Sequence, residues 1–426
     1  MTDKPVTILL IGAGNRGRGV FGQYAIDMPH KCQFIAVVEP DQDKRKAFAN
    51  THNINSQNCF SSLEQLKEKG KIAQAMILAT HESERIEYIR YGIERGYDIL
   101  CEKPLCQTIE QAVVINDIAK NYGNIFMVCH QMRYIPAYDT IKKLINSGRF
   151  GRLISIQHSE NLSYHHMAHS FVRGFFNNDS LTPMIISKSC HDMDILCYFA
   201  DSKPKNVCSF GQLAFFKSEN APPGAKDYCL DGCTVESCPY NVLKIYFNTD
   251  TDPAYIRQMG VVKNKQHLYQ LLRTNRFGRC VFKCDNNVVD SQSLAIEFSN
   301  GINCTFQVAG HNFHERRITK LSMTNGEICY DFTNKCINAY TFEPLQEQEI
   351  IPAIPPGTHY GGDFKIMEDF IASIQTRNSH PLTSVSKSFD SHLLGFAAEH
   401  SRKTNQTIDL EKYEKEIRVN VYNLDK

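Results

Sequence analysis

Over residues 1–130, short apolar runs alternate with amphipathic stretches. The runs are VTILLIG (6–12), FIAVVE (34–39), AQAMILAT (73–80), DILCE (98–102) and IFMVCH (125–130). Segments with helical periodicity lie between them, such as 82–95 and 108–122. Strands alternating with helices at this spacing predict right-handed βαβ crossovers and a doubly wound parallel sheet. Residues 136–147 read as a helix with Ile141, Leu144 and Ile145 on one face, and Gly148 and Gly151 punctuate its end.

The pattern changes near residue 151. LISIQHSE alternates like a strand and 184–198 reads as a helix. Asn300-Gly301 and Asn325-Gly326 each separate two strand-like runs, the signal of a tight hairpin. A second, mostly antiparallel sheet carrying helices is expected. Asp363 is a plausible N-cap for a helix whose Phe364, Met367, Phe370, Ile371 and Ile374 face inward. Residues 389–402 read as a further helix. The expected organisation is α/β, with a nucleotide-binding domain over 1–135 and an α+β domain over 136–426. The second domain contains a Pro-, Gly- and Cys-rich insertion at 219–239.

Composition narrows the function classes. The chain has 426 residues, 42% hydrophobic and 22% charged, with a formal charge of +1. This balance gives no electrostatic footprint for nucleic acid or an anionic membrane. No apolar run approaches the ~18 residues of a membrane span. MTDKPVTILLIG leads straight into a strand, so the N-terminus reads as unprocessed. The 16 cysteines form no dense framework. Buried reduced thiols in a cytoplasmic protein are the reading they favour.

Gly12-Ala-Gly14-Asn15-Arg16-Gly17 follows the first strand at the start of a βαβ unit. The first glycine permits a tight turn, the second lets backbone approach a pyrophosphate, and the third lets the helix pack close. Glu39 ends the second strand. A carboxylate there accepts from a ribose 2′-hydroxyl and repels a 2′-phosphate, favouring NAD over NADP, although Lys44 and Arg45 are near in sequence.

Three more segments carry a family resemblance: Cys101-Glu102-Lys103-Pro104 after the fifth strand, His130-Gln131-Met-Arg133-Tyr134 after the sixth, and Ser187-Lys188-Ser-Cys-His191-Asp192-Met-Asp194 in the second domain. With the glycine loop, they resemble the Gfo/Idh/MocA oxidoreductase family from residue 6 to about 410. The resemblance implies a Rossmann domain binding NAD(P). It further implies an α/β domain whose open sheet holds a sugar or cyclitol, in homodimers or homotetramers formed through that sheet. Lys103 resembles the lysine that contacts both nicotinamide ribose and substrate hydroxyl, and His191 the histidine proposed as acid/base. Further cofactor contacts are expected at Thr80, His81, Glu102 and Gln131. Two departures stand out. Ala79-Thr80-His81-Glu82-Ser83-Glu84-Arg85 replaces the family's A-T-P-N-x-x-H, and Ser187 stands where some members carry an aspartate.

Taking hydride from a secondary alcohol requires removal of its hydroxyl proton. A lysine can hydrogen-bond the developing oxyanion or, when neutral, accept that proton; free lysine titrates near ~10.4, so the second role needs burial or a nearby cation. On a continuous helix Lys188, His191 and Asp192 would share a face, and Asp194 could orient the imidazole. Arg133, Tyr164, His166, His169, Arg173 and Lys188 complete the expected polar lining for a polyhydroxylated substrate. His166-x-x-His169 also admits a metal, but no acidic ligand has a diagnostic spacing and no catalytic metal is expected. Cys229, Cys233 and Cys238, with Cys280 or Cys284, admit structural zinc, free thiols or a disulfide. The leading function is an NAD-dependent dehydrogenase acting on a ring hydroxyl. A redox-assisted glycosidase or lyase and a non-enzymatic NAD-dependent sensor are the alternatives.

Overall fold

The computed structural model describes residues 4–248, 253–355, 358–378 and 380–423. The first six strands are β1 (Val6–Ile11), β2 (Cys32–Val38), β3 (Cys59–Phe60), β4 (Ala75–Leu78), β5 (Asp98–Cys101) and β6 (Phe126–Val128). They form one sheet in the order β3-β2-β1-β4-β5-β6, parallel throughout. The order reverses beside β1, which places the binding crevice at the carboxyl end of that strand. β4 and β5 are buried at every position, as expected of strands covered on both faces.

The other nine strands are β7 (Leu153–Ser163), β8 (Pro204–Gln212), β9 (Ser291–Phe298), β10 (Asn303–Asn312), β11 (Arg316–Met323), β12 (Gly326–Asp331), β13 (Cys336–Thr341), β14 (Gln346–Ile350) and β15 (Ile408–Asp409). Their order is β14-β13-β12-β11-β7-β10-β9-β8-β15, antiparallel except at the β7–β10 pair. Helices Cys190–Ala200 and Val385–Thr404 pack against each other on this sheet, against β7 and β8 respectively. Ile154, Phe210 and Ile318 stay exposed.

Both hairpins form, with turns that differ from the Asn-Gly expectation. Between β9 and β10 the loop is three residues long, and Gly301 takes the left-handed position at φ 85°. Between β11 and β12, Met323 pairs with Gly326, so Thr324 and Asn325 make the turn and Gly326 opens the next strand.

The helix Gly362–Thr376 begins one residue before Asp363 and is capped by Gly361. Its Ile366, Met367, Phe370, Ile371 and Ile374 are buried against Ile8, Leu10, Phe21 and Met127 of the first domain's core. Fully burying each such side chain is worth about 1.5–3 kcal/mol, so this late helix seals one face of the nucleotide-binding sheet. A last helix, Leu410–Tyr422, has no counterpart in the hydrophobic pattern because nearly half of it is charged and it buries only Leu410 and Tyr413.

Candidate active site

The three glycines of the first loop answer to three constraints. Gly12 sits at φ +91°, where an added Cβ would fall 2.8 Å from the Ala79 carbonyl oxygen. A Cβ on Gly17 would lie 2.0 Å from the Gly12 carbonyl oxygen, whereas one on Gly14 would meet nothing within 4 Å. Packing inside the chain therefore explains Gly12 and Gly17, and Gly14 leaves bare backbone facing open space, as a phosphate cradle requires. The chain then winds as a π-helical turn, Gly17–Gly22, into an α-helical one, Gln23–Asp27. Asn15 is exposed.

Glu39 is buried at the end of β2. Its carboxylate accepts from the Ala13 N–H at 2.8 Å and the Asp41 N–H at 3.0 Å. A carboxylate offers about four acceptor positions, which leaves capacity for a ribose hydroxyl. Lys44 is paired with Asp41 at 3.4 Å, and Arg45 donates to the carbonyls of Glu39 and Pro40. The Arg16 guanidinium is taken up by carboxylates of the protein. It binds Glu102 at 2.6 Å and Asp363 at 2.7 Å. Burial opposes both charges of the Arg16–Asp363 pair. The partners outweigh it, and with His359 they hold the Asp363 carboxyl well below its ordinary range.

The Glu-Lys-Pro turn is clamped from two sides. Arg85 is buried and donates to the carbonyls of Thr80 at 3.1 Å, of Glu102 at 2.7 Å, and of Pro104. This explains the departure from the family histidine at that position: an arginine here serves the turn. From the other side, the Leu105 N–H donates to Nε2 of His392 at 2.9 Å. Lys103 is thus fixed at its base, and its Nζ donates to the Ser187 carbonyl at 3.3 Å. Among the described residues Lys103 forms no ion pair. The Thr80 hydroxyl and Gln131 Oε1 are buried without partners, whereas His81 is exposed.

The expected single helix over 184–198 is two. Met184–Ser187 and Cys190–Ala200 are separated at Lys188 and Ser189. The shared face of Lys188, His191 and Asp192 is consequently lost. Lys188 pairs with Glu160 at 3.1 Å and Glu315 at 2.8 Å. Asp192 binds Arg317 at 2.6 Å and His158 at 3.0 Å. Asp194 does not orient His191; it holds Arg133 through two bonds of 2.7 Å. His191 is 7% exposed, and its Nδ1 is buried without a partner. Burial, then Lys103 and His130, push its pKa well below the ordinary histidine value, so it is neutral at physiological pH. The hydroxyls of Ser187 and Ser189 are also buried and unpartnered. His130, Gln131, Ser187, Ser189 and His191 thus supply polar atoms that the protein itself does not use.

The Tyr164–Arg173 stretch is helical. Tyr164–His166 forms a helical turn that continues as a π-helix over Met167–Arg173. Tyr164 is half-buried, and His166 is tied to Glu315 at 2.7 Å. His169 does not line a binding surface. It is fully buried, stacked between Tyr255 and Phe277, with its nitrogens on Tyr246 at 3.0 Å and Gln258 at 3.1 Å. Burial pushes its pKa down to about 3. Arg173 is buried as well, donating to the carbonyls of Arg279 and Tyr240, both at 2.7 Å. It anchors the cysteine-rich insertion. Cys229, Cys233, Cys238 and Cys280 line one narrow cavity beside it, with Cys280 in a loop. Among the described residues no three His, Cys, Asp or Glu side chains are set to hold a metal ion, so structural zinc, one of the readings the spacing admits, finds no support. All sixteen cysteines are free.

Residues 6–130 match the profile of the Gfo/Idh/MocA oxidoreductase family, described as having an NAD-binding Rossmann fold. The match covers the nucleotide-binding part of the chain. The Gfo/Idh/MocA resemblance extends beyond it. YteT of Bacillus subtilis (strain 168), named an oxidoreductase, is 23% identical over 69% of this chain and 71% of its own length. Inositol 2-dehydrogenase 1 of Paenarthrobacter aurescens is 25% identical over 53% of this chain and 62% of its own. A levoglucosan dehydrogenase solved with NADH and levoglucosan superposes with a TM-score of 0.70 at 17% identity, over 96% of this chain and 100% of that one. It shares the fold of both domains. No helix among the described residues is long and apolar enough to cross a membrane.

His130 and Arg85 stand in this site inside motifs quoted from the sequence but without a role assigned there, and His392 stands outside every such motif. His130 lay within reach of sequence reasoning, because it precedes Gln131 at the carboxyl edge of β6. His392 sits in a helix with no local signal of function.

Proposed function

We propose that the protein is an NAD-dependent dehydrogenase acting on a ring hydroxyl of a sugar, cyclitol or glycoside, taking hydride from the carbon that bears it. The observation that carries this reading is the setting of Lys103: an ammonium without a carboxylate partner among the described residues, clamped at the carboxyl edge of a parallel sheet and donating to the Ser187 carbonyl of the second domain. Bound NAD supplies the hydride acceptor. The loop at Gly14 and the carboxylate of Glu39 hold its diphosphate and adenosine ribose, and Thr80 and Gln131 offer buried polar groups nearer the nicotinamide. Lys103 hydrogen-bonds the substrate oxygen and, when neutral, takes its proton. Neutral His191 meets the same oxygen from the second domain. Ser187 and Ser189 suit neighbouring hydroxyls.

Redox-assisted cleavage needs a second acid/base, which the 164–169 stretch supplies poorly because His169 is spent on Tyr246 and Gln258. The sixteen free cysteines support a reducing, cytoplasmic setting. The exposed face of the nine-stranded sheet, with Phe210 and Ile154, is where a homodimer or homotetramer would join. The test is a screen of sugars, sugar acids, cyclitols and glycosides with NAD. Stoichiometric NADH is expected with at least one class. Substrate cleavage without NADH would overturn the reading in favour of the redox-neutral alternative.

A further inference from the structure

A buried chain of hydrogen bonds runs behind Lys103 toward His191, and its hydrogens can be counted. His130, Ser388 and His392 are each 0% exposed. Nε2 of His392 accepts the Leu105 N–H at 2.9 Å, so that nitrogen carries no hydrogen. Nδ1 of His392 lies 2.8 Å from the Ser388 carbonyl, which can only accept, so the hydrogen is on Nδ1. Two independent bonds therefore fix the same tautomer.

The Ser388 hydroxyl lies 3.2 Å from that protonated Nδ1 and 2.8 Å from Nε2 of His130. It has one hydrogen to give. The His392 nitrogen cannot accept it, so it goes to His130. His130 then carries its own hydrogen on Nδ1. That atom is buried and has no partner, and Nδ1 of His191 is in the same condition. The two rings stand edge to face with centroids 6.1 Å apart. One orphan is a donor and the other is free to accept, so the two are complementary. Burial, only partly opposed by Asp194, pushes the His130 pKa down to about 3, so the ring remains neutral and keeps this single hydrogen.

We propose that His130 sets the tautomer of His191: the chain Leu105–His392–Ser388–His130 delivers an Nδ1–H to Nδ1 of His191, which leaves the His191 hydrogen on Nε2. His191 then presents a hydrogen-bond donor to the substrate oxygen, and the accepting role falls to Lys103. His130 is a positioning residue in this scheme. The assignment of the donor role rests on the proposed function, while the tautomer does not. The same chain begins at the amide two residues after Lys103, so it ties the placement of both residues together.

The experiment is a long-range proton–nitrogen spectrum of the imidazoles in the full-length, nitrogen-15-labelled protein. His191→Gln and His130→Gln assign the two rings by loss of their signals. His191 is expected with a bare Nδ1 and a protonated Nε2, and His130 with the reverse pattern. Ser388→Ala should blur both patterns toward exchange averages. A wild-type His191 protonated on Nδ1 overturns the proposal without any variant, and so does Ser388→Ala leaving both patterns unchanged. The spectra need neither cofactor nor substrate. A protein with the expected tautomers and no dehydrogenase activity would sink the proposed function and leave the relay standing.

Discussion

Arg16, in the glycine loop, grips Asp363 with both prongs of its guanidinium, at 2.7 Å and 3.0 Å, across a sequence separation of 347 residues. The same arginine binds Glu102, beside Lys103, at 2.6 Å. One side chain therefore ties the phosphate-facing loop to the Glu-Lys-Pro turn and to the head of the helix Gly362–Thr376. This is a two-pronged carboxylate pair of the kind that adds geometry as well as energy.

Asp363→Asn should lower stability by about 2 kcal/mol. Breaking one partner of a buried pair costs ~3–5 kcal/mol, and this pair is discounted because Arg16 is 27% exposed. The sign of the pH dependence follows from linkage. The folded-state pKa of Asp363 is depressed, so the pair's stabilisation is present above the unfolded value near ~3.9 and fades as pH falls further toward the folded value. Thermal midpoints of wild type and Asp363→Asn should converge below pH ~4. A constant gap down to the lowest accessible pH would remove the ion pair as its cause.

The fold was legible because its signals are local. Apolar runs of strand length, a glycine loop and a Glu-Lys-Pro turn each sit within a dozen residues, and both sheets appear where periodicity puts them. The partners were not legible, because they come from distant chain segments. Nothing near Asp194 in sequence announces Arg133, and nothing near Leu105 announces His392. His169 and Arg173 misled for the same reason: polar residues in a row suggest a binding wall, and only the fold shows them spent on Tyr246, Gln258 and backbone carbonyls. The break at Lys188–Ser189 interrupts the helical spacing on which the Lys188–His191–Asp192 face depended.

NAD should bind more tightly than NADP, because the Glu39 carboxylate is fixed at the end of β2 by two backbone N–H groups. Glu39→Gln keeps an acceptor and removes the charge. It should weaken NAD by about tenfold, ~1.4 kcal/mol, and narrow the preference over NADP. Calorimetry with both dinucleotides measures this. Tighter NADP binding by the wild type would transfer the site's preference to Lys44 and Arg45.

Lys103→Met should lower kcat by about 10²–10⁴, the scale of lost acid–base assistance. Cofactor affinity should change less, since Nζ reaches the Ser187 carbonyl and not the glycine loop. Steady-state kinetics on the substrate found by the screen, with NAD titrations alongside, separate the two effects. Near-normal turnover would remove Lys103 from the chemistry.

His191→Ala should damage substrate turnover while leaving NAD binding intact. The glycine loop, Glu39 and Lys103 all belong to the first domain, and in the proposed function they would lay the dinucleotide across the carboxyl edge of its sheet. His191 arrives from the helix Cys190–Ala200, which packs on the nine-stranded sheet, so in that reading it would meet the nicotinamide region from the substrate side. Burial, Lys103 and His130 all disfavour its charged form. Its contribution should therefore stay level as pH falls through the ordinary histidine range, and any acid limb in kcat/KM should belong to another group. Two measurements decide this: NAD affinity of the variant, and kcat/KM against pH for both proteins. If the variant loses NAD and keeps its substrate kinetics at saturating cofactor, His191 belongs to the dinucleotide site, and the substrate must be sought on another wall of the cleft.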